Sequence, residues 1–102
     1  MITKEYIKDV KINGNGALAL AIENLKDNSS LSYFLENLGF LPDNFDGDVL
    51  LQFINHNNTN IRFWVVKNLG KLGDTKYLIQ LAKIAKEDSD SMVRREAVST
   101  IG

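Results

Sequence analysis

The chain has 102 residues, of which 44% are apolar and 25% are charged, with one proline and no cysteine. This composition fits one ordinary globular domain and excludes a disulfide framework or a thiolate metal site. The formal net charge of −1 gives no overall attraction to phosphate or to an anionic membrane, so charge does not favour nucleic acid. No segment resembles a signal peptide or a membrane span, and we expect a cytoplasmic protein without membrane contact.

The first predicted helix covers residues 2–12, where apolar residues recur on one side and charged residues on the other. Two glycines within residues 13–16 end this helix. Helical spacing resumes over residues 17–26, and residues 27–30 supply a turn and a helix cap. Residues 31–41 form the next apolar helical segment.

The chain repeats itself with a period in the low thirties. Residues 36–43 and 67–74 share Asn, Leu, Gly, Leu and Asp in register, which is five identities in eight at an offset of 31. Residues 61–70 match residues 93–102 at an offset of 32. A fixed period of this length is typical of stacked helical units, so we infer three copies of one helix.

The helices that precede these copies are related as well. Residues 50–54 match residues 78–82 at an offset of 28, which differs from 32 by about one helical turn and keeps the apolar face in phase. Short polar side chains that can cap helices also recur in register. The predicted N-caps are Asp48 and Asp74 for the first helices of two units, and Asn58 and Asp90 for the second helices.

Residues 90–102 resemble the second helix of a HEAT repeat, whose pattern is Asp, two variable residues, Val-Arg, two variable residues, two small apolar residues and Leu-Gly. Residues 58–70 match with Asn in the first position, and residues 30–43 match more loosely, with Leu31 where Arg is expected. The resemblance implies an all-α protein, a right-handed α-solenoid of about three HEAT-like helix pairs with an N-terminal helix. It also implies that the Asp and Arg positions tie neighbouring repeats together. The residues with this structural ladder role are Arg62, Asp90 and Arg94.

We expect one HEAT-repeat domain over residues 1–102. Its predicted parts are an N-terminal helix and loop at 1–16, a divergent repeat at 17–43, a repeat at 44–74, and a repeat truncated at its end at 75–102. An apolar face made by Val93, Ala97, Val98 and Ile101 has no following repeat to cover it. Terminal repeats of a complete array have a polar outer face, so we expect the N-terminal part of a longer protein. The open face also permits end-to-end self-association.

Phe63 and Trp64 depart most from the repeat pattern, because the next unit has Arg95 and Glu96 at the same two positions. In the family these positions commonly face solvent along the concave surface. Exposed large aromatic residues are the usual anchors of an interface, whereas the alternative is that both rings pack in the core, where Trp is highly buried on average. The candidate partner-binding residues are Tyr33, Phe63, Trp64, Lys67 and Lys71.

The sequence has no pattern typical of a catalytic site, a cofactor site or a metal site. The acidic residues at 43–48 resemble a calcium loop, but aligning Gly47 with the loop's invariant glycine places Pro42 at the first ligand position. Helix capping and a turn explain these acids instead. His56 is the only histidine and has no cysteine or clustered carboxylates beside it in sequence. We therefore expect no cofactor and no enzyme activity within residues 1–102, and the expectation leaves room for a catalytic domain after residue 102.

The leading hypothesis is a non-catalytic scaffold that binds a protein partner, or another domain of the same chain, through the surface of its second helices. The alternative is a nucleic-acid-binding or targeting module of a larger DNA- or RNA-modifying enzyme, in which six basic residues converge on one concave stripe. These residues are Arg62, Lys67, Lys71, Lys76, Arg94 and Arg95. A third candidate follows from a resemblance to the HEAT-like units of phycobilin lyases, although nothing in the sequence supplies chromophore chemistry.

Overall fold

A computed structural model describes residues 2–41 and 45–101, and within them the chain is helical without any strand. The elements are α1 (Lys4–Ile12), α2 (Asn15–Glu23), α3 (Asn28–Glu36), α4 (Asp48–Leu51), α5 (Thr59–Leu72), a 3₁₀ turn (Thr75–Tyr77), α6 (Leu78–Glu87) and α7 (Ser91–Ile101). The predicted all-α fold class is confirmed. The right-handed sense of the superhelix and the predicted unit boundaries stay predictions.

Short polar side chains fix where most of the helices begin. Thr3, Asp27, Asn58 and Asp90 accept hydrogen bonds from backbone N–H groups in the first turns of α1, α3, α5 and α7. The predicted caps at Asn58 and Asp90 are therefore confirmed, and Asp74 likewise accepts the N–H of Lys76 in the 3₁₀ turn. The predicted cap at Asp48 is wrong, because this residue lies inside the first turn of α4 and its own N–H donates to Asp46.

The third helical segment ends earlier than its apolar pattern predicts. Helix α3 stops at Glu36, and Gly39 adopts a left-handed φ of 61° that only glycine adopts without strain. Leu38 and Leu41 are nevertheless buried, so they contribute to the core from the turn that follows the helix. The apolar spacing therefore predicts the burial of these two residues correctly, but it predicts a helix that is too long.

The repeated helices are neighbours in space. The second helices α3, α5 and α7 pack side by side in chain order, while α4 packs on α5 and α6 packs on α7. Helix α1 packs on α2 at the N-terminal side. One continuous hydrophobic core runs through all of these contacts, from Ile7 in α1 to Ala97 in α7. Each unit thus buries its apolar face against the next unit, as a stack of helix pairs requires.

Burial corrects the pairing of the first helices. Leu50 and Leu81 are both buried, whereas Leu78 is 42% exposed. The equivalent positions are therefore 31 residues apart instead of 28, which agrees with the period of the second helices. No helix in the part of the chain that the structure describes combines the length and the apolar character needed to cross a bilayer.

The predicted open apolar face on α7 is only partly exposed. Val93 and Ala97 are fully buried, because α7 packs against both α5 and α6, and their inclusion in this face is wrong. Val98 and Ile101 are 58% and 43% exposed and remain accessible.

Candidate interaction surface

Phe63 and Trp64 on α5 form an edge-to-face aromatic pair. Their ring centroids lie 5.1 Å apart and their planes meet at 89°. Both residues are half-buried, so each ring contacts the core on one side and remains accessible on the other. The sequence left open whether these rings are exposed or packed in the core. In the structure each ring packs partly against the core and stays partly exposed, so the core holds it in a fixed position. Rings fixed in this way lose little conformational entropy when they contact a partner.

The aromatic pair borders a hollow of about 500 Å³ between the three second helices. Its lining residues are Ser32 and Glu36 of α3, Thr59, Asn60, Phe63 and Trp64 of α5, and Asp90 and Met92 at the start of α7. A second hollow of about 320 Å³ shares Ser32, Glu36 and Asn60 with the first and is also lined by Tyr33. We call the two adjoining hollows the second-helix groove.

The second-helix groove combines apolar side chains with polar and acidic ones. Met92 is 60% exposed and extends the apolar surface of the aromatic pair towards α7. Among the described residues that line the groove, the charged side chains are those of Glu36 and Asp90. Asp90 already accepts two backbone N–H groups of α7 through Oδ1, whereas Glu36 is exposed. The groove therefore suits a ligand with an apolar side chain and hydrogen-bond donors.

Lys67 lies at the edge of the aromatic pair. Its ammonium nitrogen is 6.0 Å from the centroid of the Trp64 ring and 3.9 Å from the carboxylate of Glu96 on α7. A cation at this distance is attracted by the face of the indole ring. Lys67 thus helps to orient Trp64 and links α5 to α7.

Lys71 lies outside the groove. Its ammonium group donates to the carbonyl oxygen of Gly39 at 2.9 Å, and the residue lines neither hollow. Burial lowers the pKa of Lys71, and the nearby ammonium groups of Lys11 and Lys67 lower it further. The structure therefore brings Tyr33, Phe63 and Trp64 to the groove with Lys67 at its edge, and places Lys71 at the turn after α3.

Arg62 connects two successive units. Its guanidinium makes a bidentate contact with Asp88, with Nε to Oδ2 at 3.0 Å and Nη2 to Oδ1 at 3.2 Å. Nη1 also donates to the carbonyl oxygen of His56 at 2.8 Å. The side chains of Arg62 and Asp88 are only 11% and 6% exposed, so this ion pair is shielded from solvent. It fastens α5 to the loop between α6 and α7.

Arg94 repeats one of these contacts in the next unit. Its Nη1 donates to the carbonyl oxygen of Asp88 at 2.6 Å, and this bond spans six residues, as does the bond from Arg62 to His56. Asp88 is thus bound by both arginines, whereas the carboxylate of Asp90 caps α7. Sequence reasoning chose Asp90 because of the family pattern and missed Asp88.

The repeat pattern does mark the position of Asp88. Asp88 and His56 stand at equivalent positions, each two residues before a helix cap. Oδ1 of Asp88 accepts the N–H of Asp90 at 2.9 Å, and Nδ1 of His56 accepts the N–H of Asn58 at 3.0 Å. His56 must therefore carry its proton on Nε2 when this bond forms.

The acids of the suspected calcium loop have other partners. Asp43 lies outside the described residues, and Asp46 accepts the backbone N–H of Asp48. The carboxylate of Asp48 accepts hydrogen bonds from Nζ of Lys76 at 2.9 Å and from the hydroxyl of Tyr77 at 3.0 Å. The bond from Lys76 is the main cause that lowers the pKa of Asp48. Within residues 2–41 and 45–101, no group of three His, Asp or Glu side chains could hold a metal ion.

Comparison with known proteins gives one match. A family model described as HEAT repeats covers residues 47–102, which is more than half of the chain and contains α4 to α7. Searches of curated proteins and of solved structures found no match. The matched region includes the two helix pairs whose arginines make equivalent backbone contacts. The chain therefore belongs to the HEAT-repeat family.

Proposed function

We propose that this chain is a non-catalytic scaffold that binds a protein partner, or another domain of the same polypeptide, through the second-helix groove. HEAT repeats typically mediate protein interactions. The observation that carries the proposal is the partly exposed pair of Phe63 and Trp64 in a groove that spans three neighbouring helices. Such a groove can accommodate a helix or an extended segment of the partner.

The composition of the groove matches the anatomy of an interface. Rigid aromatic residues carry much of the binding energy at interfaces, and the polar rim provides hydrogen bonds and orientation. Here Phe63, Trp64 and Met92 provide the apolar contact, while Ser32 and Asn60 provide polar groups beside them. We expect Trp64 to contribute most, because indole side chains are enriched among the dominant binding residues.

The nucleic-acid alternative has less support, because several of the required basic groups are engaged within the protein. Arg62 is paired with Asp88, Lys76 with Asp48, and Lys67 lies near Glu96. Phosphate contacts would have to replace or share these interactions. A binding isotherm on duplex DNA without salt-dependent affinity would eliminate this alternative, since counterion release imposes that dependence.

Site-specific photocrosslinking tests the proposed surface. A photoreactive amino acid at Asn60, which is exposed in the groove, is expected to capture the partner in cells. The same amino acid at Gln52, which is exposed on the far end of α4, serves as the control and is expected not to capture it. Equal capture at both positions would contradict the assignment.

Two matched variants then measure the contribution of the groove to affinity for the captured partner. Met92 and Val98 are both on α7 and are 60% and 58% exposed, but only Met92 lines the groove. We expect Met92→Ser to weaken binding several-fold and Val98→Ser to leave it unchanged. Trp64→Ala should weaken it at least tenfold, provided that circular dichroism shows the fold retained. Unchanged affinity in a folded Trp64→Ala protein would remove the proposal.

A further inference from the structure

A second exposed surface lies where the end of α1 meets the turn after α3, and it shares no lining residue with the second-helix groove. Phe40 and Ile12 are 80% and 72% exposed there. Together with Lys8 and Lys11 they line a shallow hollow of about 270 Å³, and Lys71 reaches the same turn from α5. We call these five residues the basic–apolar patch.

Two lysines of the patch are held at neighbouring backbone carbonyls. Nζ of Lys11 donates to the carbonyl oxygen of Leu38 at 2.6 Å, and Nζ of Lys71 donates to that of Gly39 at 2.9 Å. Backbone carbonyl oxygens are strong hydrogen-bond acceptors, so these two contacts hold both ammonium groups at the turn after α3. Each ammonium group has three N–H donors, so one such bond leaves further donors for a ligand.

The charges of these lysines are not neutralised by an acid among the described residues. Burial lowers the pKa of Lys11, and burial together with the charges of Lys11 and Lys67 lowers the pKa of Lys71. No carboxylate contributes to either change in pKa. An anion that bound between Lys11 and Lys71 would therefore relieve the repulsion between two positive charges.

We propose that the basic–apolar patch binds an acidic segment of a protein partner that also carries a large apolar side chain. The carboxylates would accept hydrogen bonds from Lys11 and Lys71, and the apolar side chain would cover Phe40. Lys8, Lys11 and Lys71 are fewer than the roughly four to eight basic residues of a site for anionic lipids, which favours a short acidic segment over a membrane. This surface goes beyond the groove and does not depend on it.

The probe for the test is a short synthetic peptide in which one leucine is flanked by glutamates. Two comparison peptides carry lysines in place of the glutamates, or glycine in place of the leucine. Each peptide is titrated into the ¹⁵N-labelled protein, and amide resonances are followed. We expect only the first peptide to shift the resonances of the patch, with an affinity that falls as ionic strength rises. Resonances of Phe63 and Trp64 should not move, which keeps this result separate from that of the proposed function.

Variants then assign the binding to the named side chains. Lys11→Gln combined with Lys71→Gln is expected to weaken peptide binding about tenfold, since each exposed ion pair contributes modestly. A control that removes two lysines elsewhere, Lys83→Gln with Lys86→Gln on α6, should leave it unchanged. Lys11→Arg combined with Lys71→Arg should bind the peptide as the wild type does. Phe40→Ser changes an exposed side chain without loss of core packing and should weaken binding several-fold.

Several outcomes would overturn the proposal. They are the absence of resonance shifts at millimolar peptide, equal shifts with the lysine peptide, and unchanged affinity in the Lys11 and Lys71 double variant. Vesicles containing phosphatidylserine provide the last arm of the experiment. Binding to these vesicles without binding to the peptide would identify the patch as a membrane contact and would refute the acidic segment as its ligand.

Discussion

The boundary between α3 and α5 and the boundary between α5 and α7 join successive units by different chemistry. At the first boundary, a neutral amide makes the connection, as Nδ2 of Asn68 donates to the carbonyl oxygen of Leu35 at 2.9 Å. At the second, the bidentate ion pair of Arg62 and Asp88 makes it. The same helical architecture thus accepts either solution, although among the described residues Oδ1 of the buried Asn68 has no hydrogen-bond partner.

The difference originates at one repeated position. Leu31 stands where the following units have Arg62 and Arg94, and it is buried in the core. With no arginine in the first unit, the position before the next cap does not need an acid, and His56 occupies it. His56 keeps the hydrogen bond that Asp88 makes to the backbone N–H of the cap residue two positions later, without the ion pair. An arginine and its acidic partner are thus both present at the second boundary, and both are replaced at the first.

The largest expected effect follows from Asn68→Asp at the first boundary. Asn68 is fully buried, and its amide donates to the carbonyl oxygens of Leu35 and Trp64. Aspartate would remove both donors and place a carboxylate against two carbonyl oxygens. We expect the free energy of unfolding to fall by about 3 kcal/mol or more, because an unpaired buried charge is strongly destabilising. Urea denaturation measures this loss.

Asn37→Asp is the matched control, since Asn37 stands one repeat earlier at the equivalent position. It is half-buried and donates only to the carbonyl oxygen of Tyr33 at 2.9 Å. We expect a loss of about 1 kcal/mol, typical of one hydrogen bond. Equal losses in the two variants would show that Asn68 does not connect the units.

At the second boundary, Arg62→Ala is expected to lower the free energy of unfolding by about 2–3 kcal/mol, because it leaves the shielded carboxylate of Asp88 without its partner. Asp88→Ala should cost a similar amount. The double variant should cost less than the sum, with a coupling energy of about 1 kcal/mol or more. Thermal or urea unfolding of the four proteins completes the cycle.

Arg94→Ala provides the comparison within the same repeat pattern. Arg94 donates to a backbone carbonyl of its own unit, and we expect a loss of only about 1 kcal/mol. If the Arg94 and Arg62 variants were equally destabilised, the backbone bond common to both would account for the effect and the ion pair would contribute nothing.

The sequence predicted the parts of this structure that depend on local spacing. The second helices and the caps at Asn58 and Asp90 follow from apolar period and short polar side chains, which act within one helix turn. The end of α3 could not be located in this way, because Leu38 is buried from outside the helix.

The candidate site was predictable only in its aromatic residues. Phe63 and Trp64 depart from the repeat pattern, which marks them in the sequence. Glu36 and Asn60 line the groove because packing brings α3 and α5 together, and nothing in their local sequence indicates it. Lys71 was placed beside the aromatic pair, but tertiary packing directs it to the carbonyl of Gly39 instead.

A smaller effect on stability is expected at His56, the position of the first boundary that is equivalent to Asp88 of the second. His56→Ala removes the acceptor for the N–H of Asn58 and should cost about 1 kcal/mol, as loss of one hydrogen bond does. His56→Asp should retain most of the stability, because Asp88 shows that a carboxylate accepts the equivalent bond. Urea unfolding distinguishes the variants, and an Asp variant as unstable as the Ala variant would contradict this equivalence.

The smallest expected effect is the pH dependence of the contact between α4 and the 3₁₀ turn, which lies on the first-helix side of the second boundary. The hydrogen bond from Lys76, and then that from Tyr77, lowers the pKa of Asp48 in the folded protein. A lowered folded-state pKa means that Asp48 contributes stability above its unfolded value of about 3.9, and that this contribution is lost as pH falls through the folded value.

The same contact also limits stability at high pH. The hydrogen bond to Asp48 raises the pKa of Lys76, and burial raises the pKa of Tyr77, so their contributions are present in neutral solution and are lost as pH rises through these raised values. Both side chains of the ion pair are about half exposed, and we therefore expect a small effect that salt weakens. Asp48→Asn removes the charge and should flatten the acid side of the stability profile below about pH 4. If the wild type and Asp48→Asn lost stability in parallel over this range, the ion pair of Asp48 and Lys76 would contribute nothing to stability. Arg62 and Asp88 would then be the ion pair that stabilises the second boundary.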